Sequence, residues 1–242
     1  MSLSRCFALS SLVLPLAIGS ASGLMLDAVR PTIAWAQTDS EADRLLDEGI
    51  ELYRISEWRQ ALDTWQQALE LYRQAGNRTG EAIILGNIGN VYQSLGDYPQ
   101  ALDYQEQSLT LKRELGDRAG EAITLGNIGI IYRLLEDYPQ ALDYYEQSLA
   151  LKRELGDRAG EAKTLGNMGY LFEAQSEPQL AIIFFQEAVN IYEEFRERHQ
   201  SFEQDNQTTF TATVEDIYRK LADLLLQQDR ILEAQQVLDL LQ

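Results

Sequence analysis

Apolar residues recur along this chain at helical spacing, and the spacing itself returns every 40 residues. Leu125, Ile128, Gly129 and Tyr132 fall at i, i+3, i+4 and i+7, one face of an α-helix. Ala141, Tyr145, Ser148, Leu149 and Leu151 outline a second helix behind it. The residues between helices fit stops and starts. Gly96-Asp97 with Pro99 reads as a left-handed stop, an N-cap and a first-turn proline. Gly116-Asp117 and Gly156-Asp157 repeat the stop and the cap. Glu136 stands where Gly96 stood one copy earlier, so that turn is expected to be strained.

The copies are close. Tyr98–Asp137 and Tyr138–Glu177 align without a gap and share 28 of 40 positions. Trp58–Asp97 is an earlier copy, and Gln179–Phe195 a diverged half-copy. Four helix-pair units follow, at about 42–75, 82–115, 122–155 and 162–195 within an array spanning 37–195. A polar insertion at 196–214, read as a loop or a longer helix pair, separates them from an incomplete fifth unit at 215–242. Its second helix has no polar capping helix after it, so a frayed end, self-association through the uncapped C-terminal helices, or a longer parent chain is expected. Each first helix carries two glycines, such as Gly126 and Gly129. A mid-helix glycine costs about 1 kcal/mol against alanine, which close helix packing must offset.

Leu85, Ile88, Gly89, Tyr92, Gly96, Tyr98, Ala101 and Ser108, with the matching sets around Leu125 and Leu165, resemble the tetratricopeptide repeat. The usual unit is about 34 residues. The 40-residue step here resembles the longer variant of kinesin light chains and G-protein-signalling modulators. The resemblance implies an all-α, right-handed superhelical solenoid of antiparallel helix pairs, whose first helices line a concave groove. It assigns the groove positions to Asn87, Asn90 and Gln93 in unit two, and Asn127, Ile130 and Arg133 in unit three. Unit four supplies Lys163, Asn167, Tyr170 and Glu173, and unit one Asp43, Asp47, Ile50, Tyr53 and Arg54. In related proteins an asparagine at the shared position pairs with an extended peptide. Gly86, Gly126 and Gly166 beside it are expected to leave room for the ligand backbone. The recurring Asn87, Asn127 and Asn167 also admit a structural reading, as duplicated residues bonded to the neighbouring helix. Lys112-Arg113 and Lys152-Arg153, late in second helices, are expected to serve the helix dipole. Trp58, Trp65, Tyr98, Tyr138, Phe184 and Phe185 read as core.

Composition narrows the function. Acidic residues number 38 and basic residues 20, for a net charge of -18, which argues against nucleic acid or an anionic membrane as partner. The single cysteine, Cys6, and single histidine, His199, preclude an intrachain disulfide or a Cys/His zinc site. No nucleophile–base set, phosphate loop or metal cluster is evident, so neither catalysis nor a cofactor is expected. Residues 1–36 have the pattern of a secretory signal. Arg5 is followed by an uncharged run from Cys6 to Leu26, and Ala34-Trp35-Ala36 precedes Gln37 as the mature start. A retained anchor is the alternative. Export to the periplasm or the cell exterior follows, as does a mature charge of -19 once Arg5, Arg30 and Asp27 are removed. The signal, the repeats and the tail IYRKLADLLLQQDRILEAQQVLDLL together resemble the front half of cyanobacterial proteins that carry a caspase-like domain after the repeats. This chain has no such segment. The expected function is a non-enzymatic scaffold that binds a protein segment in its groove; the alternative is a regulatory module of a caspase-like system whose catalytic domain is separate.

Overall fold

The computed structural model describes residues 26–199 and 207–241, with side chains described over 38–196 and 214–241. Residues 1–37 and 38–242 form separate units. Of the first, the described part belongs to α1 (Leu26–Arg54); most of the expected signal segment lies outside the described residues. After it come α2 (Trp58–Ala75), α3 (Arg78–Leu95), α4 (Tyr98–Leu115), α5 (Arg118–Leu134) and α6 (Tyr138–Leu155). Then follow α7 (Arg158–Ala174), α8 (Pro178–His199), α9 (Gln207–Gln227) and α10 (Ile231–Asp239). No strand occurs among the described residues. Each helix packs on the next, so α3 with α4, α5 with α6, α7 with α8 and α9 with α10 form the units. Helix α8 runs to His199 and α9 starts at Gln207, so both ends of the 196–214 stretch are helical.

The turns are built as the sequence directs. Asp97, Asp117, Asp137 and Asp157 each accept a hydrogen bond from the backbone N–H three residues on, at 3.3, 2.9, 3.3 and 2.8 Å. Gly76, Gly116 and Gly156 end their helices in the left-handed conformation. Within units, the stop falls at Ser56, Gly96, Glu136 and Ser176, all at positive φ and 40 residues apart. Three of these four are not glycine, so the chain holds residues with a Cβ in a conformation that disfavours them.

Packing within each unit rests on one small-to-large contact. Gly49, Gly89, Gly129 and Gly169 on first helices face Trp65, Gln105, Tyr145 and Phe185 on second helices. A Cβ on these glycines would come within 2.2, 2.9, 2.7 and 2.6 Å of those side chains. The helices therefore approach to backbone contact, and the glycine cost is offset by burial of Trp65, Tyr145 and Phe185, none more than 2% exposed. A second repeating contact stacks Tyr92 on Tyr104, Tyr132 on Tyr144 and Phe172 on Phe184, with ring centroids 5.1–5.4 Å apart.

Ion pairs link the units along one edge. Arg113 and Arg118 both donate to Glu121, at 2.8 and 3.0 Å, and Arg118 also reaches Glu154. Arg153, Arg158, Glu161 and Glu194 repeat this one unit later. Glu161 is buried, which alone would raise its carboxyl pKa, but the two guanidinium groups outweigh burial and hold it below the ordinary value.

Candidate functional site: the wall of first helices

First helices of neighbouring units touch, α3 with α5 and α5 with α7, whereas no pair of second helices packs as closely among the described residues. The stack therefore curves toward its first helices, and their free faces form its inner wall. The side chains on this face repeat with the units. Positions 83, 123 and 163 carry Ile83, Ile123 and Lys163, all exposed. Asn87, Asn127 and Asn167 come next, all half-buried, followed by Asn90, Ile130 and Tyr170, also half-buried. Gln93, Arg133 and Glu173 complete the face and are half-buried too.

The three asparagines are alike in sequence and unlike in partners. Asn127 donates to Asn90 Oδ1 at 3.3 Å, and the same oxygen accepts from Gln105 Nε2 at 2.8 Å. Asn127 thus follows the structural reading. Among the described residues, the side chains of Asn87 and Asn167 have no hydrogen-bond partner. The cause is local: the position that Asn90 occupies before Asn127 is Ile50 before Asn87 and Ile130 before Asn167, and isoleucine offers no acceptor. Two of the three amides are left to donate and accept on the wall.

Other wall residues are tied to their neighbours. Tyr170 donates to Asp216 on α9, and its ring meets Phe185 edge-on at 5.0 Å. Burial and the Asp216 carboxylate both raise its pKa. Glu173 pairs with Lys220 at 2.9 Å, and Arg54 with Glu51 at 2.6 Å. Tyr53 shares a 3.1 Å hydrogen bond with Ser94. Arg133 is different. Its guanidinium lies beside the buried Tyr145 hydroxyl and counters part of the burial effect on that phenol, although the contact falls short of good hydrogen-bond geometry at Tyr145 Oη and Arg133 Nε. Burial pushes the Tyr145 hydroxyl up to about 12.

One expectation is corrected and a second gains a partner. Gly86 and Gly126 do not open toward a ligand: a Cβ on them would point at Ser108 Oγ (3.2 Å) and Ser148 Oγ (3.4 Å) on their own second helices. At Gly166 it would meet Ile217 Cδ1 at 2.7 Å, so these glycines serve packing between helices. Lys112 and Lys152 stand in the last turns of α4 and α6, as the dipole reading has them, but they are buried there. They are 9% and 6% exposed, and donate to the hydroxyls of Thr124 (2.8 Å) and Thr164 (2.7 Å) on the next unit's first helix. Burial lowers both pKa values, that of Lys152 to about 8, with Lys163 adding repulsion and Asp157 opposing it. Arg113 and Arg153 pair with Glu121 and Glu161 as described above. The buried lysines had a signal in the sequence: the same position is Tyr72 in unit one and Tyr192 in unit four, both buried.

Among the described residues, no group of three or more His, Cys, Asp or Glu side chains is arranged to hold a metal ion. None of the described helices is long and apolar enough to cross a membrane.

The tetratricopeptide repeat family model matches residues 49–114, 80–154 and 120–194, more than half of the chain. No curated protein matches the sequence. Among solved structures, the chain is similar to BtubC (BKLC) from P. vanneervenii, at 18% identity and a TM-score of 0.60, covering 85% of this chain and 89% of that one. A Rap protein complexed with Competence and Sporulation Factor aligns at 16% identity and a TM-score of 0.69, over 83% of this chain and 53% of that one. A putative kinesin light chain from Podosopora anserina with nearly identical TPR-like repeats aligns at 12% identity and a TM-score of 0.60, over 83% and 93%. At these identities the likeness is one of fold. With its units stacked first helix on first helix and the family model matched three times in overlapping register, the chain belongs to the tetratricopeptide repeat family.

Proposed function

We propose that this protein is a non-enzymatic interaction scaffold that binds an extended segment of a partner protein along its wall of first helices. The observation that carries this reading is the pair of amides on Asn87 and Asn167, which sit half-buried on that wall without a partner. An amide both donates and accepts, so it can pair with the backbone of an extended chain whatever the sequence. Exposed Ile83, one turn before Asn87, and Ile123 on the unit between the two amides give such a segment apolar contact. A Rap protein of this fold, complexed with Competence and Sporulation Factor, is a precedent for complex formation. The secretory pattern of residues 1–36 supports export of the scaffold from the cytoplasm.

A photo-crosslinking amino acid at position 87 or 167, compared with one at Gln107 or Glu146 on the second helices, tests the reading in the native compartment. Adducts to one protein from 87 and 167, absent from 107 and 146, support it. Adducts from the second-helix positions alone overturn it.

A further inference from the structure

We propose that the edge of the stack carrying the turns between units is a self-association surface, on which a second copy of this chain packs about a two-fold axis at Leu155. This edge is distinct from the wall of first helices, and the inference does not depend on what that wall binds.

Charge singles out the edge. The chain has 38 acidic and 20 basic side chains, a balance that keeps like molecules apart. The turns between units escape it. Residues 113–118 and 153–158 both read Arg-Glu-Leu-Gly-Asp-Arg, so each turn carries as many positive as negative charges. Opposite charges alternate along the row: Arg78 meets Glu114, Arg118 meets Glu154, and Arg158 meets Glu194. Among them stand Leu115, Leu155 and Phe195, 40 residues apart in sequence and 43%, 45% and 38% exposed. Apolar contacts inside a balanced polar rim are the make-up of a protein–protein interface.

The opposite edge supplies the contrast. It also exposes aliphatic side chains, Ile55, Leu95 and Leu135. Its turns at residues 95–99, 135–139 and 175–179, however, carry Asp97, Glu136, Asp137 and Glu177 and no basic residue. Two such edges repel each other. Apolar exposure is common to both edges, and the balance of charge chooses between them.

The occupant follows from the order of the charges, because the row is its own complement. Turned about a two-fold axis, it sets Arg78 of one protomer against Glu194 of the other, Glu114 against Arg158, and Arg118 against Glu154. Leu155, the middle of the three apolar residues, meets its own copy on the axis. Leu115 faces the Phe195 end of the other protomer, where a cavity of about 280 Å³ is lined by Asp157, Arg158, Ile191 and Phe195 among others. The dimer carries two walls, so a ligand with two binding segments is held by both.

Sedimentation velocity of the full chain at physiological salt, from about 1 to 300 μM, tests the proposal. The expected result is a monomer–dimer equilibrium with a dissociation constant on the order of 10–100 μM, as suits a small interface. Leu155→Asp and Leu155→Lys, each alone, should remain monomeric, because like charges then meet on the axis. An equal mixture of the two should form dimers again, since an aspartate then faces a lysine. Leu95→Asp on the opposite edge should dimerise as the parent does. Leu155 is exposed, so unchanged melting of its variants shows that the fold is intact. A parent that stays monomeric throughout, a Leu155 variant that dimerises like the parent, or a mixture that stays monomeric overturns the proposal.

Discussion

Gly129 lies directly against the ring of Tyr145: a Cβ added there would fall 2.7 Å from ring Cδ1 and Cε1 and 3.3 Å from the Ala141 carbonyl oxygen. Three residues earlier, Gly126 would place its Cβ 3.4 Å from Ser148 Oγ, an ordinary contact. Both glycines sit mid-helix and both pay the same propensity cost. Gly129→Ala should therefore destabilise by about 1–3 kcal/mol, because a ring and a backbone oxygen must shift. Gly126→Ala should be neutral or stabilise by up to about 1 kcal/mol. Denaturant unfolding of the two variants checks the contrast, and equal effects would refute the packing account.

Glu136 holds a φ of 61° in the turn between α5 and α6, where unit two has Gly96 at 80°. A residue with a Cβ is disfavoured there by about 1–2 kcal/mol. Glu136→Gly should raise stability by roughly that amount, since the residue is exposed and forms no ion pair among the described residues. A lower melting midpoint would show that the turn carries no such strain.

Lys152 gives the fold a pH dependence of definite sign. Burial holds its pKa at about 8, against an ordinary 10.5 in the unfolded chain. Between these values the unfolded state binds more protons than the folded one, so stability rises with pH. The rise is on the order of 3 kcal/mol at most, and Lys112 adds in the same direction. Buried tyrosines oppose it higher up. Tyr145 and Tyr192 are pushed up to about 12 by burial, so above a pH of about 10 the unfolded chain loses phenolic protons first and stability falls. Stability should peak near pH ~10. Lys152→Met should raise stability at neutral pH and flatten the rise, since Thr164 keeps its 3.0 Å bond to the Gly160 carbonyl. A Lys152→Met chain with the parent's pH profile would contradict this.

The fold was legible because its signals are local and repeated. The stops at Gly96, Gly116 and Gly156, the aspartate caps and the helical spacing around Leu125 each specify their element without reference to distant residues. The packing role of the second glycine in each pair was legible for the same reason. What the sequence hid depends on contacts between units. That Asn127 is tied while Asn167 is not turns on one residue 37 positions back, Asn90 against Ile130. Lys112 looks like a surface cation at a helix end until Thr124, 12 residues on, is seen to accept its hydrogen bond. The orientation of Gly86 toward Ser108, away from the groove, likewise required the helix axes.

The amides of Asn87 and Asn167 bear most directly on the account, and the measurement is the affinity of residues 37–242 for the partner trapped by crosslinking at those positions, by calorimetry. Asn87→Ala/Asn167→Ala should weaken binding about tenfold or more, through two lost backbone contacts of about 1 kcal/mol each. Asn127→Ala, which breaks only the bond to Asn90, should change it far less. Equal affinities for the parent and the double variant would contradict the claim that these two amides grip the partner's backbone.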